Sequence, residues 1–410
     1  MILCQPEAFN DQPNEPITSC TFEWSEMKFL PLLLFFPVLL HSQPLTWDQL
    51  VRMEKDRVIG AATRYLSESP VTVTAAKAER SAGGLHDYYS EATYWWPNLK
   101  DPNGPYIRKD GLTNPENFES HLLALQRLSI HVAGLTAAFV LTNDKVYADK
   151  AQEHLRAWFV DGKTRMNPNL LYAQAIKGVV TGRGIGIIDA IHCIEVVKSL
   201  MVLEKKKYLS PQDVKPIKEW FREFLGWITT HPYGIDERDN GNNHSTWWAA
   251  QVAMYATFVG DEEQKEFCRR FYRGTLLTRQ MAKDGSFPEE LRRTRPYSYS
   301  LFNMEGMALL CEILSDTKSS LWDVTTADGR GMRKAMEFLV PFVKNKKSWT
   351  YPKDVAHFDE LPVRMQSILF AACAFKKDEY FEVWKSLNAD YTGEELIRTF
   401  PIHQPILWWK

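Results

Sequence analysis

The chain has 410 residues, 45% of them hydrophobic and 24% charged, which excludes disorder over most of its length and leaves room for a large core. Forty-nine Lys and Arg stand against fifty-one Asp and Glu, so the global basic field that a nucleic-acid partner would need is missing. A polyanionic partner would have to be held by local charge.

Near the N-terminus, Met27 and Lys28 precede an apolar run from Phe29 to Leu40, and polar His41, Ser42 and Gln43 follow. One positive charge, a short apolar stretch and a polar exit form the pattern of a secretory signal. The run is short for a membrane span and contains Pro31 and Pro37, so no stable membrane insertion of the mature chain is expected. The expected organisation is an N-terminal extension plus signal, residues 1–42 with the signal at 27–42, then one exported domain, 43–410, in the periplasm or secreted. Residues 1–26 read as an upstream mis-start or an unprocessed extension. Cys4 and Cys20 fall in that part. Cys193, Cys268, Cys311 and Cys373 lie far apart without metal-ligand spacing, which reads as buried free thiols.

From Trp47 onward the dominant signal is helical. Leu125, Leu128, Val132, Leu135 and Phe139 recur at three- and four-residue steps, as do Ile187, Ile191, Ile194, Val197 and Met201, and then Ile217, Phe221, Phe224 and Ile228. Further helices are predicted near 47–67, 145–159, 244–259, 261–282, 299–315, 329–343, 360–376 and 378–388. Alternating strand patterns are almost missing, and Val71 to Thr74 is the best strand candidate. Many helices of similar length joined by modest loops predict an all-α fold of antiparallel hairpins closed into an α/α toroid, an incomplete barrel with a single catalytic domain. Its cleft would lie where the connecting loops gather. The longest irregular stretch, 81–117, is rich in Gly, Pro, Tyr and Trp, and such long loops in compact domains are usually functional.

Two segments carry chemistry. The first is Asn242-Asn243-His244-Ser245-Thr246-Trp247-Trp248; the second runs from Glu290 through Arg292, Arg293 and Arg295 to Tyr297 and Tyr299. Asn243 could simply cap the helix that follows, and His244 alone would be an ordinary structural histidine. Three arginines in four positions beside two tyrosines are harder to place in a core, and suggest a solvated surface or an anion site. Together the segments offer what β-elimination at a uronic acid requires. The C5 proton is weakly acidic, so the sugar carboxylate must be neutralised and the enolate-like state stabilised. Asn243 can donate its amide and Arg293 its charge. A base must reach C5, and the leaving O4 must receive a proton. Tyrosine can do both when proton and leaving group share one face of the sugar; a histidine base and a tyrosine acid suit opposite faces. Because a free phenol ionises near roughly pH 10, a tyrosine base needs a cation beside it, and Arg293 is the candidate for Tyr299.

These segments, together with Thr164 to Ala175 and Gly182-Arg183-Gly184 through Asp189, resemble the alginate lyase family of α/α-toroid proteins. His86 to Glu91 and Tyr94-Trp95-Trp96-Pro97 resemble the aromatic region of its Bacteroides-type branch, which includes alginate and glucuronan lyases. The resemblance spans about residues 85 to 345. It implies a polysaccharide lyase whose partner is a polyuronate, alginate or glucuronan. Asn243 would neutralise the carboxylate, with His244 and Arg293 flanking the reacting sugar. Tyr299 would be the acid and, for same-face substrates, also the base. Gln174 falls where the family often presents a substrate-contacting amide, or is a helix-terminal polar residue. The spacing from the acidic residue to the arginine and tyrosine departs slightly from the better-known members, which leaves Arg292 and Tyr297 as competitors.

Tyr88, Tyr94, Trp95 and Trp96 could stack on sugar rings or belong to the core. Glu290, Tyr297, Arg292 and Arg364 complete the expected substrate-binding set; Arg108, Lys109 and His357 are weaker candidates. Trp408 and Trp409 would dock the tail or form a contact in a possible homodimer. No HExxH, EF-hand loop or Cys/His cluster occurs, so no metal and no cofactor are expected. The glycines at 182, 184 and 186 lack a preceding strand, and are assigned to close packing or a turn. Two competing readings are an α/α-toroid glycoside hydrolase, which would need a pair of carboxylates, and a non-catalytic glycan-binding protein.

Overall fold

The computed structural model of the protein describes residues 45–317 and 319–409, within the compact unit Gln43–Lys410. The expected signal segment and Cys4 and Cys20 lie outside the described residues. Helix α1 (Trp47–Tyr65) starts at Thr46, which closes a reciprocal capping box with Gln49. The hairpin of α2 (Ser120–Thr142) and α3 (Lys145–Phe159) turns at Asn143, left-handed at φ 56°, and Asp144 caps α3. Then come α4 (Cys193–Lys205), α5 (Pro211–Thr230), α6 (Pro232–Arg238), α7 (Asn243–Val259) and α8 (Glu262–Phe271). Proline opens α5 and α6, at a position where a missing N–H costs nothing. The chain continues through α9 (Pro288–Leu291), α10 (Pro296–Leu314), α11 (Met332–Lys344), α12 (Gln366–Phe375) and α13 (Asp378–Ser386). Two short helices, α14 (Glu394–Thr399) and α15 (Pro405–Trp408), form the C-terminal arm.

Two kinds of helix alternate. Helices α2, α7 and α10 are buried on nearly every side, whereas α3, α5 and α11 bury one stripe and expose the other. Helix α2 packs on α1, α3 and α4; α7 packs on α4, α5, α8 and α10; α10 packs on α11 and α12. The buried helices make an inner ring and the amphipathic ones an outer ring, which is an α/α toroid. Close approach depends on small residues. At Gly306 of α10 an added Cβ would lie 2.9 Å from Thr246 of α7. Trp158, Trp247 and Trp248 are among the largest fully buried side chains, and truncating any of them to alanine would cost roughly 3–5 kcal/mol. Helix α2 is long and apolar enough to cross a membrane by composition, yet 78% of that window is buried by its neighbours, as in a core helix.

Several expectations are corrected locally. The strand expected at Val71 to Thr74 is instead a 3-10 turn, Val73–Ala75, because the Thr72 hydroxyl accepts the Thr74 N–H and curls the chain. The stripe from Ile187 to Met201 divides into a 3-10 segment, Gly184–His192, followed by α4. There the glycines serve close packing: a Cβ at Gly182 would lie 1.9 Å from the Leu171 carbonyl, and one at Gly186 2.5 Å from the Ala173 side chain. The helix expected over 261–282 ends at Phe271 and continues as a π-helical stretch, Tyr272–Gln280. The one expected from 360 starts only at Gln366, after Pro362 has interrupted the backbone donors. The short strands lie where none was expected: β1 (Tyr89–Glu91), β2 (Trp95–Trp96), β3 (Ile107–Arg108) and β4 (Tyr172–Ala175). β1 pairs in parallel with β4, and β2 antiparallel with β3, so the long 81–117 region is tied down twice. Cys193, Cys268 and Cys311 are buried free thiols, while Cys373 is free and exposed.

The C-terminal arm is held by a buried carboxylate. Glu195 of α4 accepts the backbone N–H groups of His403, at 2.9 Å, and Gln404, at 2.7 Å. Trp408 then packs on Phe370, with ring centroids 5.6 Å apart, so this tryptophan docks the tail in its own fold. Burial pushes the Glu195 carboxyl up to about 7, with the two N–H groups pulling the other way; an unfolded glutamate titrates near roughly 4.3. Folding therefore favours the protonated form. That contribution is complete below the unfolded value and is lost as pH rises through about 7. Between about pH 6 and about pH 8.5 the wild-type melting temperature is expected to fall more than that of Glu195→Gln. Parallel melting curves for the two proteins across that range would contradict the assignment.

Candidate active site

One cleft of about 370 Å³ opens on the loop side, and Asn243, His244, Arg293 and Tyr299 all line it. Asn242, not Asn243, caps α7, its side chain accepting the His244 N–H at 3.0 Å. Asn243 is thereby free of capping and is gripped by Glu290, whose two oxygens accept its backbone N–H at 2.6 Å and its amide at 2.8 Å. The grip leaves one amide hydrogen of Asn243 for the cleft. Burial raises the Glu290 carboxyl, and these two bonds to Asn243 oppose the rise.

His244 is oriented by Glu237, the last-turn acid of α6, whose Oε1 lies 2.7 Å from Nδ1. As a carboxylate Glu237 accepts from Nδ1–H, which leaves Nε2 with its lone pair, the arrangement of a positioned general base. Glu237 is buried and its Oε2 has no hydrogen-bond partner. Burial raises its carboxyl, while His244 acts to lower it.

Arg293 stacks its guanidinium 4.4 Å above the Tyr299 ring and binds Asp110 at 3.0 Å. Asp110 comes from the long irregular region and also accepts Thr294 and Arg108, at 2.9 and 2.6 Å. Burial works to raise the Asp110 carboxyl, but Arg293, Thr294 and Arg108 together hold it down at about 2. The Tyr299 hydroxyl donates to the Tyr94 oxygen at 2.8 Å. Burial is the main force on Tyr299, and it raises the phenol well above its ordinary value; Arg293 and Arg295 oppose this without overcoming it. Tyr299 is therefore a protonated phenol at rest, and the cation expected to favour its anion is outweighed.

The C-terminal arm closes one wall. Arg398 of α14 reaches the cleft beside Tyr94 and is paired with Glu395, at 2.6 Å, which also binds the buried Arg295 at 2.5 Å. Burial would raise the Glu395 carboxyl, yet Arg398 and Arg295 hold it at about 2. Nothing in the sequence singled out Glu237, Asp110, Glu395 or Arg398 as site residues, because which side chains they meet is decided by how the helices and the long irregular region pack; Arg183 stood only within the segment that carries the resemblance.

Of the residues expected to bind substrate, Gln174, Tyr94 and Trp95 line the cleft, as does Arg108. Others lie elsewhere. Glu290 sits beneath Asn243 with no exposure. Tyr297 is a core residue whose hydroxyl donates to the Phe342 carbonyl at 3.2 Å, since the α-helical turn of α10 points it opposite to Tyr299. Arg292 pairs with Glu289 on the exposed face of α9, which settles the position next to Tyr299 in favour of Arg293. Arg364 binds Glu54 at 2.8 Å and stacks on Trp384, outside the cleft lining. Tyr88 is buried, donating to Asp189 at 3.2 Å. Trp96 donates to the Leu112 carbonyl at 3.0 Å under Lys109, outside the cleft lining. His357 pairs with Glu360 at 2.7 Å and is likewise not on the cleft wall. Among the described residues, no cluster of three or more His, Cys, Asp or Glu could hold a metal.

The fold and this cleft define a polysaccharide lyase of the helical-toroid type. Residues 72–349 match the family model of alginate lyase, and the chain belongs to that family. No curated protein matches the sequence. An alginate lyase from Bacteroides ovatus has a similar structure, with TM-score 0.75 and 29% identity, covering 88% of this chain and 96% of that one. Alginate lyase A1-III from Sphingomonas species A1 shares the fold at TM-score 0.52 and 18% identity, over 86% of this chain and 94% of its own. Helix α14, with Glu395 and Arg398, lies beyond the region matched by the family.

The Glu237–His244 pair generates a test. Glu237→Gln keeps the shape but lets the side-chain amide donate to Nδ1, which turns Nε2 into an N–H. On a uronate whose C5 proton and O4 lie on opposite faces, turnover is expected to fall by roughly 10²-fold or more with little change in KM. Turnover within about twofold of wild type would remove His244 from the proton transfers.

Proposed function

We propose that this chain depolymerises a uronic-acid polymer by β-elimination, acting on alginate, preferably mannuronate-rich, or on glucuronan. The reading is carried by the gathering of Asn243, His244, Arg293 and Tyr299 on one cleft wall, and membership of the alginate lyase family supports it. In the reaction the C5–H bond breaks, its electron pair forms the C4–C5 double bond, and the C4–O4 bond breaks as O4 takes up a proton. The free amide hydrogen of Asn243 meets the sugar carboxylate and Arg293 supplies charge beside it, which stabilises the enolate-like state. Tyr299, a phenol at rest, is the donor to O4.

The base depends on the sugar. When the C5 proton and O4 lie on opposite faces, His244 Nε2 removes the proton. On a same-face sugar such as mannuronate or glucuronate, Tyr299 serves as both base and acid: having lost its proton to solvent, its phenolate takes the C5 proton and delivers it to O4, and the Tyr94 hydroxyl, 2.8 Å away, is placed to hydrogen-bond that phenolate. The hydrolase alternative finds less support: the carboxylates on the cleft wall, Asp189 and Glu395, are each tied up, by Ser90 and Gln174 and by Arg295 and Arg398. We also propose that the protein is exported from the cytoplasm, on the signal-like segment at 27–42.

Polymannuronate, polyguluronate and glucuronan, each incubated with the protein, provide the test through ultraviolet absorbance of the new double bond. A rise is expected with polymannuronate or glucuronan. Reducing ends without the chromophore would make it a hydrolase, and neither signal a binder. Tyr299→Phe is expected to lose roughly 10²–10⁴-fold in turnover while still binding polymer; full activity would move the acid role to another residue.

A further inference from the structure

Four guanidiniums line the cleft, and three of them have a carboxylate partner. Arg108 and Arg293 share Asp110, and Arg398 holds Glu395. Arg183 forms no ion pair among the described residues: its Nε donates to the Gln174 carbonyl at 3.2 Å and its Nη2 to the Gln174 side-chain oxygen at 2.9 Å. Both bonds go to neutral acceptors, and Nη1 has no partner among the described residues. Burial lowers the affinity of this guanidinium for its proton, and the charge of Arg108 lowers it further, while Asp189 and Glu237 act in the opposite sense. A partly buried cation without a counter-ion costs free energy that the fold does not recover.

The surroundings are built to keep that cation in place. Gln174 adopts a left-handed backbone, φ 50°, which is strained for a residue with a side chain. Its N–H donates to Ser90 Oγ at 2.8 Å and its amide to Asp189 at 3.1 Å, and Ser90 also donates to Asp189 at 2.5 Å. The parallel pairing of β1 with β4 brings these residues together. Strain at Gln174 thus aims its two oxygens at Arg183 and fixes the guanidinium in the cleft, within electrostatic reach of Glu237 and Arg108. The arrangement is a preformed site for an anion.

We propose that Arg183 binds the carboxylate of the uronate next to the reacting one, so that the cleft takes consecutive uronates and not a polymer in which uronates alternate with uncharged sugars. This rests on the lyase reading, in which Asn243 and Arg293 take the carboxylate of the reacting residue. A polyuronate presents one carboxylate per sugar, and the second supplies the counter-ion that Arg183 lacks.

Calorimetric binding of tetramannuronate, with turnover of polymannuronate alongside, tests the site on wild type, Arg183→Gln and Arg183→Lys. The Gln variant is expected to bind at least roughly tenfold more weakly and to raise KM by a similar factor, with the loss in KM and not in kcat. The Lys variant keeps the charge without the fork and is expected to fall between the two. Melting temperature should not drop in the Gln variant, because an unpaired buried charge has been removed. A polymer alternating glucuronate with N-acetylglucosamine should fail to compete. Wild-type affinity in Arg183→Gln, a loss of folding in both variants, or equal competition by the alternating polymer would overturn the proposal. If the wild type yields no unsaturated product but tetramannuronate still binds through Arg183, the lyase reading fails and the anion site stands.

Discussion

Buried carboxylates bound to the first N–H groups of helices are the interaction on which the cleft depends. Glu290 accepts the backbone and side chain of Asn243 at the start of α7. Asp354 accepts Tyr297 and Ser298 at the start of α10, at 2.8 and 2.9 Å. Glu305 accepts Gln366 and Ser367 at the start of α12, at 3.0 and 2.9 Å. Each acid satisfies donors that a helix leaves unpaired and sits at the positive end of its dipole. Because inner helices are buried at their ends, water cannot do this work. The acids therefore fix where α7 and α10 begin, and with them where Asn243, His244 and Tyr299 project.

The same economy of charge shapes the cleft. A site for a polyanion needs cations, but cations crowded at partly dehydrated positions repel each other and lose hydration. Asp110 and Glu395 answer this by holding Arg293 and Arg398, and they are themselves held at about 2 by the arginines they neutralise. Pairing keeps each guanidinium rigid and lowers its net charge, so the wall is ordered before any ligand arrives. Tyr299 shows the limit of that arrangement: two guanidiniums lie over its ring, yet burial still dominates and keeps the phenol protonated. A proton donor held in this way is ready for a leaving oxygen.

Periodicity made the helices legible because it is a local property. The stripes of α2, α4 and α5 are visible in sequence, since each helix must turn its apolar residues toward neighbours. Failures came where a long-range contact decided the backbone. Close packing of Gly182 and Gly186 against β4 gave a 3-10 segment in place of a helix, and the hydroxyl of Thr72 curled a would-be strand. β1 and β4 escaped notice because a three- or four-residue parallel pair has no pattern of its own.

By itself the sequence determined an all-helical fold, and it named Asn243, His244, Arg293 and Tyr299 as the groups to watch, because residue type and short spacing limit what a segment can do. Only the tertiary structure decided which neighbours those groups meet. It put Glu237 on His244, Asp110 on Arg293 and Tyr94 on Tyr299, and turned Tyr297, Arg292, Arg364 and Tyr88 away from the cleft. Orientation, burial and counter-charge arise from elements distant in the chain, and a linear order of residues does not contain them until the helices pack.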